Sequence, residues 1–176
     1  KLAGQWVAFA AGNHDYMAYR ATGIERAHEI ARKLNAPYFG QGGGTIFVEL
    51  GGARYVIGIR HNGKGNSQLN TSNAQRRTFD EWPTWENADA VILAHLHFND
   101  LHIAPRKGGQ CVYLRSGTAK TRDGYAKENG FTPEYGMPVL ICYPGEKRLI
   151  PFRGDQLNVA LRFLESERAH YAAVSS

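Results

Sequence analysis

Short apolar runs alternate with polar segments along the chain, and three of these runs predict buried strands. They cover residues 6–11, 55–59 and 90–94. Short continuous apolar runs are typical of buried strands. Each run is followed at once by potential ligand side chains: Gly12-Asn13-His14-Asp15, His61 and His95-Leu96-His97. Because ligands bind at the carboxyl ends of strands in open α/β sheets, we expect these residues to share one edge.

The rest of the pattern predicts an α/β domain with further strands and two main helices. Further strands are predicted over 45–50, 110–115, 138–143 and 147–152, and the run 55–59 belongs to a strand over 53–59. Gly51-Gly52 predicts a tight hairpin between the strands 45–50 and 53–59. Helical spacing predicts one helix capped by Thr22 and stopped before Pro37, and another near the C-terminus. Long loops are predicted over 61–78 and 116–137, a short helix over 81–87, and a loop at Asp100-Leu101-His102.

The chain length of 176 residues fits one compact domain. We therefore treat residues 1–176 as a single domain, with a C-terminal helix and tail over 153–176. The sequence begins at Lys1 and enters a predicted strand almost at once. We expect that an N-terminal portion of the domain lies outside this chain.

Composition and charge narrow the classes of partner. The net charge of +5 favours anionic partners such as phosphates or nucleic acid. No apolar stretch approaches the ~20 residues that a membrane span needs, so no membrane partner is expected. Cys111 and Cys142 lie in strand-like runs, which favours a reduced, buried pair and a cytoplasmic location. The oligomeric state is left open.

The histidines and the asparagine at the strand ends predict a metal site. Neutral imidazole is the commonest metal ligand in proteins. Divalent metals of intermediate softness accept imidazole and amide ligands together. Any one of these histidines alone is more often structural than a ligand, but the ordered set favours a site built from Asn13, His61, His95 and His97.

In this order, Gly12-Asn13-His14-Asp15, His61 and Ala94-His95-Leu96-His97 resemble the second half of the calcineurin-like metallophosphoesterase pattern. The resemblance covers roughly residues 6–116 and is specific, because three ordered motifs match. It implies a four-layer α/β/β/α sandwich with two divalent metal ions, of Mn, Fe, Zn or Ni. The family's Asp-x-His and Gly-Asp motifs are absent from this chain. The resemblance therefore implies the C-terminal part of such a domain.

The resemblance also implies a role for each matching residue. Asn13, His61 and His95 would bind one metal ion, and His97 would bind the other. His14 would protonate the leaving group of a phosphate ester. Asp15 would hold the His14 ring in place.

The polar segment that follows the second predicted strand supplies candidate substrate-binding residues: Arg60, Asn62 and Lys64. A solvated loop and a phosphate-contacting loop are about equally favoured for this segment. The predicted reaction is metal-dependent hydrolysis of a phosphate ester, with a phosphodiester such as nucleic acid favoured. Two alternatives stay open: a phosphomonoesterase or protein phosphatase, and a catalytically incomplete scaffold or binding module.

Overall fold

The structure is a computed structural model that describes residues 7–63, 73, 77, 87–106, 109–121, 124–128, 130 and 132–174. Its helices are α1 (Asn13–Thr22), α2 (Arg26–Lys33), α3 (Gly124–Glu128) and α4 (Leu157–Val174). Its strands are β1 (Gly44–Leu50), β2 (Ala53–Arg60), β3 (Ala90–Leu93), β4 (Asp100–Arg106), β5 (Gly109–Arg115), β6 (Val139–Cys142) and β7 (Leu149–Phe152).

Five strands form a central mixed sheet in the order β1-β2-β3-β5-β4. The three inner strands run parallel to one another, while β1 and β4 pair antiparallel at the two edges. The inner strand β3 is almost entirely buried, which explains its continuous apolar sequence. Alternate side chains fill apolar clusters on the two faces of this sheet, with Val91 and Leu93 in one and Ala90 in the other.

A second sheet of β6 and β7 covers one face of the central sheet. Leu140, Cys142 and Leu149 pack against the apolar cluster around Leu114. Helix α4 then packs on the second sheet, where the rings of Phe152 and Phe163 lie 5.8 Å apart between centroids. The predicted α/β class, with two sheets packed on one another and flanked by helices, is confirmed.

The first predicted strand and the first predicted helix differ from the structure. In the described part of the run 6–11, Phe9 makes a single parallel bridge to Tyr38. The partner segment contains Pro37, which has no N–H to donate, so the ladder stays short. The chain is already helical from Asn13, and Thr22 ends α1 instead of capping α2. Its hydroxyl donates a hydrogen bond back to the carbonyl of Ala18 at 2.8 Å.

Three loop predictions were also wrong, wholly or in part. Asp100-Leu101-His102 begins strand β4, because it pairs residue by residue with the end of β5. The predicted loop 116–137 contains helix α3. Within 61–78, the described residues Asn73 and Arg77 are helical. Residues 81–86 of the predicted short helix lie outside the described residues.

Cys111 is buried, Cys142 is half-buried, and both are free thiols. Burial raises the pKa of Cys111 to about 11.

In the part of the chain that the structure describes, no helix has the length and apolar character needed to cross a membrane.

A buried acid stabilises the amino end of β3. The side chain of Asp89 is 8% exposed and accepts a hydrogen bond at 2.8 Å from the backbone N–H of Val56. Its other oxygen lies 3.0 Å from Nη2 of Arg106, whose side chain is 12% exposed, and 3.0 Å from Nζ of Lys147. The carboxylate therefore links β2, β4 and the turn between β6 and β7.

We expect Asp89→Asn to lower the free energy of unfolding by about 3 kcal/mol, because it removes the carboxylate charge that is paired with the buried guanidinium of Arg106. Urea denaturation measures the change. Glu49→Gln is the matched control, since Glu49 pairs with Arg54 on the surface at 3.8 Å and both side chains are exposed. Its effect should stay within about 0.5 kcal/mol. Similar losses for the two variants would contradict the stabilising role of Asp89.

Candidate metal and phosphate site

Parallel pairing of β2 with β3 brings two histidines to one edge of the central sheet. Arg60 at the end of β2 lies opposite Leu93 at the end of β3. The next residues continue this pairing, because the N–H of Ala94 donates to the carbonyl of His61 at 3.1 Å. His61 and His95 therefore leave the sheet side by side, as the strand-end argument predicts.

The start of α1 places Asn13 against the same edge. Gly12 precedes the helix, and its N–H donates to Oδ2 of Asp15 at 2.8 Å, which caps the first turn. A side chain at Gly12 would press on the His61 ring, since an ideal Cβ there would lie 3.1 Å from Cε1 of His61. The glycine thus permits the close approach between α1 and the end of β2.

Three potential ligand atoms meet at this point. Nε2 of His61 lies 2.9 Å from Oδ1 of Asn13 and 3.1 Å from Nδ1 of His95. The rings of His61 and His95 are 5.0 Å apart between centroids and meet edge to face. Three of the four predicted ligands are therefore neighbours in the folded chain, although they are far apart in sequence.

Both imidazoles of this cluster favour the neutral form. Burial, followed by the neighbouring charge of His95, lowers the pKa of His61 to about 4. Burial also lowers the pKa of His95, with further contributions from His97 and Arg115. At neutral pH each ring therefore keeps a nitrogen lone pair, which is the form that binds metals.

The spacing of these atoms suits a cation better than it suits hydrogen bonding alone. A neutral ring nitrogen carries either a hydrogen or a lone pair, so Nε2 of His61 cannot bond strongly to both neighbours. Ligand atoms about 2.1 Å from one ion at right angles would lie about 3.0 Å apart. The contacts of His61 with Asn13 and His95 match that separation. The residues present fit a divalent metal ion.

The described residues nevertheless lack a conventional cluster. No group of three or more His, Cys, Asp or Glu side chains in this part of the chain is arranged to hold a metal ion. The converging set consists of two imidazoles and an amide. His97 contributes to the lowered pKa of both His61 and His95. The assignment of His97 to a second metal ion stays a prediction.

The turn that carries His95 and His97 has an unusual backbone. Both residues have positive φ values, 75° and 56°, which side-chain-bearing residues rarely adopt. The buried Arg115, 1% exposed, donates from Nη1 to the carbonyl of Ala94 at 3.2 Å. Its guanidinium also lies 5.0 Å from the centroid of the Phe98 ring. Backbone strain of this kind is concentrated at functional sites.

A cleft of about 390 Å³ opens beside the cluster. It is lined by Ala11, Asn13, Gln41, Gly42, Arg60, His61 and Asn62. The predicted substrate-binding residues Arg60 and Asn62 therefore lie at the same opening as two predicted metal ligands. Lys64 lies outside the described residues. A larger hollow of about 510 Å³ beside α2 contains none of the predicted site residues.

The predicted catalytic pair lies on the first turn of α1. His14 is exposed, and its charge acts on the pKa of both His61 and His95. Asp15 has the capping bond to Gly12 described above. The role of Asp15 in orienting the His14 ring stays a prediction.

Sequence reasoning missed two residues around the site. Gln41 lines the cleft, and Asn99 supports the histidine-bearing turn. Asp15 three residues after Gly12 was the available signal for the start of α1, because an acid at this position caps a helix. Gln41 and Asn99 had no such signal, since only the folded chain brings them to this edge.

No family model matches the sequence, and no curated protein matches it. Nineteen chains of solved structures match the fold, among them wild-type Vps29 from Entamoeba histolytica in complex with zinc. That chain is 14% identical over 84% of this chain and 96% of its own length, with a TM-score of 0.38. It has the calcineurin-like metallophosphoesterase fold. The similarity is weak and concerns the fold alone.

Proposed function

We propose that this chain is a metal-dependent phosphoesterase that hydrolyses a phosphodiester. The observation that carries the proposal is the convergence of Oδ1 of Asn13, Nε2 of His61 and Nδ1 of His95 beside an open cleft. The motif resemblance to calcineurin-like metallophosphoesterases supports the same function.

In this proposal Asn13, His61 and His95 hold one divalent ion and His97 holds a second. Bound ions of this kind polarise a phosphoryl group and lower the pKa of water. The chain contributes imidazoles that are already neutral, so a metal ion does not have to compete with a proton for their nitrogens at neutral pH. Burial of His61 and His95 also strengthens their interaction with a cation.

His14 supplies the proton that the leaving-group oxygen needs when its bond to phosphorus breaks. It follows the ligand Asn13 directly and lies exposed on the first helical turn, where substrate can reach it. A positioned imidazole contributes about 10²- to 10⁴-fold to such a step. Asp15 holds the same turn through its bond to Gly12, and we assign it the orientation of the His14 ring.

The cleft selects an anionic substrate. Arg60 and Asn62 line its opening, and Lys64 follows them in sequence. A guanidinium binds phosphate oxygens through two parallel N–H donors. Together with the net charge of +5, these residues favour a phosphodiester, for which nucleic acid is one source.

A catalytically incomplete scaffold or binding module is the second candidate. The observation that favours it is the lack, among the described residues, of a cluster of three His, Cys, Asp or Glu side chains suited to a metal. Metal content and turnover separate the two candidates. Hydrolysis of bis-para-nitrophenyl phosphate with added Mn²⁺ supports the enzyme. Hydrolysis of only the corresponding monoester would favour a phosphomonoesterase or protein phosphatase.

His61→Ala should weaken Mn²⁺ binding by about 100-fold or more, because even outer residues of metal sites contribute 10- to 100-fold. It should also lower hydrolysis of the nitrophenyl diester strongly. Isothermal titration calorimetry measures the affinity, and circular dichroism checks that the fold is kept.

The control is His170→Ala, since His170 is an exposed histidine on α4. It should leave both Mn²⁺ affinity and turnover unchanged. Equal affinities for the two variants would remove His61 from the metal site.

His14→Asn should leave Mn²⁺ affinity unchanged but slow substrates with poor leaving groups by about 10²- to 10⁴-fold. A dinucleotide, which releases an alkoxide, should be affected far more than the nitrophenyl diester, which releases a stable phenolate. The ratio of kcat values for the two substrates is the measurement. Asp15→Asn should give a smaller change in the same direction.

Two results would contradict this assignment. Equal slowing of both substrates by His14→Asn would exclude a proton donor. Loss of Mn²⁺ binding in that variant would instead make His14 a ligand or a structural residue.

A further inference from the structure

We propose that Asn99 is a positioning residue for the candidate metal site. It holds the histidine turn, which we define as residues 94–99, against two segments from later in the chain. The effect of Asn99 on metal binding rests on the proposed function. The placement of the turn can be tested separately.

The backbone of the histidine turn is strained. His95 and His97 both occupy the left-handed backbone region that residues with side chains disfavour. Within the turn itself the backbone supplies a short-range bond, from the N–H of Leu96 to the carbonyl of Ala94 at 3.0 Å. A strained conformation persists only when surrounding structure determines it.

Asn99 provides that surrounding structure through its backbone and both ends of its amide. The residue is 5% exposed. Its backbone N–H donates to Oε2 of Glu134 at 2.9 Å, and its Nδ2 donates to the carbonyl of Tyr135 at 2.9 Å. Its Oδ1 accepts from the N–H of Gly117 at 3.0 Å. One side chain thus ties the end of the turn to two separate loops.

The same loops also bind His97 directly. The backbone N–H of Glu134 donates to the carbonyl of His97 at 2.7 Å. Thr118 and Tyr135 form an isolated parallel bridge, and the N–H of Thr118 donates to the carbonyl of Glu134 at 2.9 Å. Asn99 and His97 are therefore fixed by one small network.

Two glycines make room for the amide. An ideal Cβ on Gly154 would overlap Oδ1 of Asn99, and one on Gly117 would lie 2.8 Å from the same atom. Three segments that are distant in sequence therefore accommodate this one side chain. Such a packed and fully bonded amide is suited to specify the conformation of the turn.

Because Asn99 acts through the turn, loss of its amide should shift His97 and change the orientation of His95. Asn99→Ala removes both side-chain hydrogen bonds and keeps the backbone bonds of the turn to Glu134. Asn99→Asp keeps the acceptor for Gly117 but places a carboxylate oxygen against the carbonyl of Tyr135, so it should disturb the turn as well. Gly154→Ala keeps Asn99 itself and displaces its amide, which provides an independent variant.

The first measurement is Mn²⁺ affinity by isothermal titration calorimetry on the whole chain. We expect Asn99→Ala to weaken binding by about 10- to 100-fold. Asn158→Ala, on the exposed face of α4, should change nothing. Asp89→Asn should leave the affinity unchanged although it destabilises the fold, because Asp89 lies at the opposite end of β3. Equal weakening by Asn99→Ala and Asp89→Asn would overturn the proposal.

The second measurement does not need metal. Imidazole Cε1–H signals in NMR spectra of the metal-free protein, assigned with His95→Gln and His97→Gln, report the ring environments. The signals of His95 and His97 should shift in Asn99→Ala and Gly154→Ala but not in Asn158→Ala. Unshifted signals in both folded variants would overturn the positioning role.

The two measurements separate the two proposals. A wild-type chain that binds no Mn²⁺ while Asn99→Ala shifts the His95 and His97 signals would overturn the metal site and support the positioning role. Intact Mn²⁺ binding in Asn99→Ala, together with unshifted histidine signals, would support the metal site and overturn the positioning role of Asn99. If Asn99→Ala does not fold, Asn99→Asp and Gly154→Ala decide the result.

Discussion

Two neighbouring parallel ladders, β2 with β3 and β3 with β5, decide where His61, His95 and Arg115 of the candidate site lie. In the first ladder Arg60 lies opposite Leu93, so His61 and His95 follow at adjacent positions. In the second ladder Leu93 lies opposite Arg115, which places a buried cation beneath the same edge. A slip of one residue in either ladder would send these side chains to the other face of the sheet. The apolar clusters on both faces prevent such a slip.

The two ends of β3 differ in how their polar groups are satisfied. At the amino end, the carboxylate of Asp89 has a backbone donor and two cationic partners. At the carboxyl end, Nε2 of His61 lies close to both Oδ1 of Asn13 and Nδ1 of His95, and one ring nitrogen cannot bond strongly to both. Buried polar groups in folded proteins are normally paired, and exceptions are concentrated where a ligand completes the set. The fold therefore separates an end that contributes stability from an end that is suited to binding.

Backbone conformation adds a second constraint at the binding end. His95 and His97 depart from the usual backbone regions, and Leu96 lies between them. Arg115 and Asn99 bind the two ends of this turn, through the carbonyl of Ala94 and through the 117 and 134–135 segments. The backbone beneath the histidine pair is thereby held in place. In the proposed function, such preorganisation would lower the entropic cost of binding an ion.

The local pattern of the sequence was sufficient to predict most of the sheet. Apolar runs predicted β2, β3, β5, β6 and β7, and Gly51-Gly52 predicted the β1–β2 hairpin. These features depend on side-chain burial and turn chemistry, which neighbouring residues determine. Asp100-Leu101-His102 was interpreted as loop, because an edge strand with polar residues has no strong apolar run and gains its structure from pairing with β5.

The sequence by itself also determined which side chains could form a site, through the ordered motifs at residues 12–15, 61 and 95–97. Only the tertiary structure decided that Asn13, His61 and His95 meet within hydrogen-bonding distance, because their meeting depends on strand register and on the start of α1. Gln41, Asn99 and Arg115 joined the site for the same reason. Their contacts link segments far apart in sequence, and no local pattern encodes such a contact. The chain determines its elements locally, whereas sheet pairing and core packing determine which of its polar groups meet.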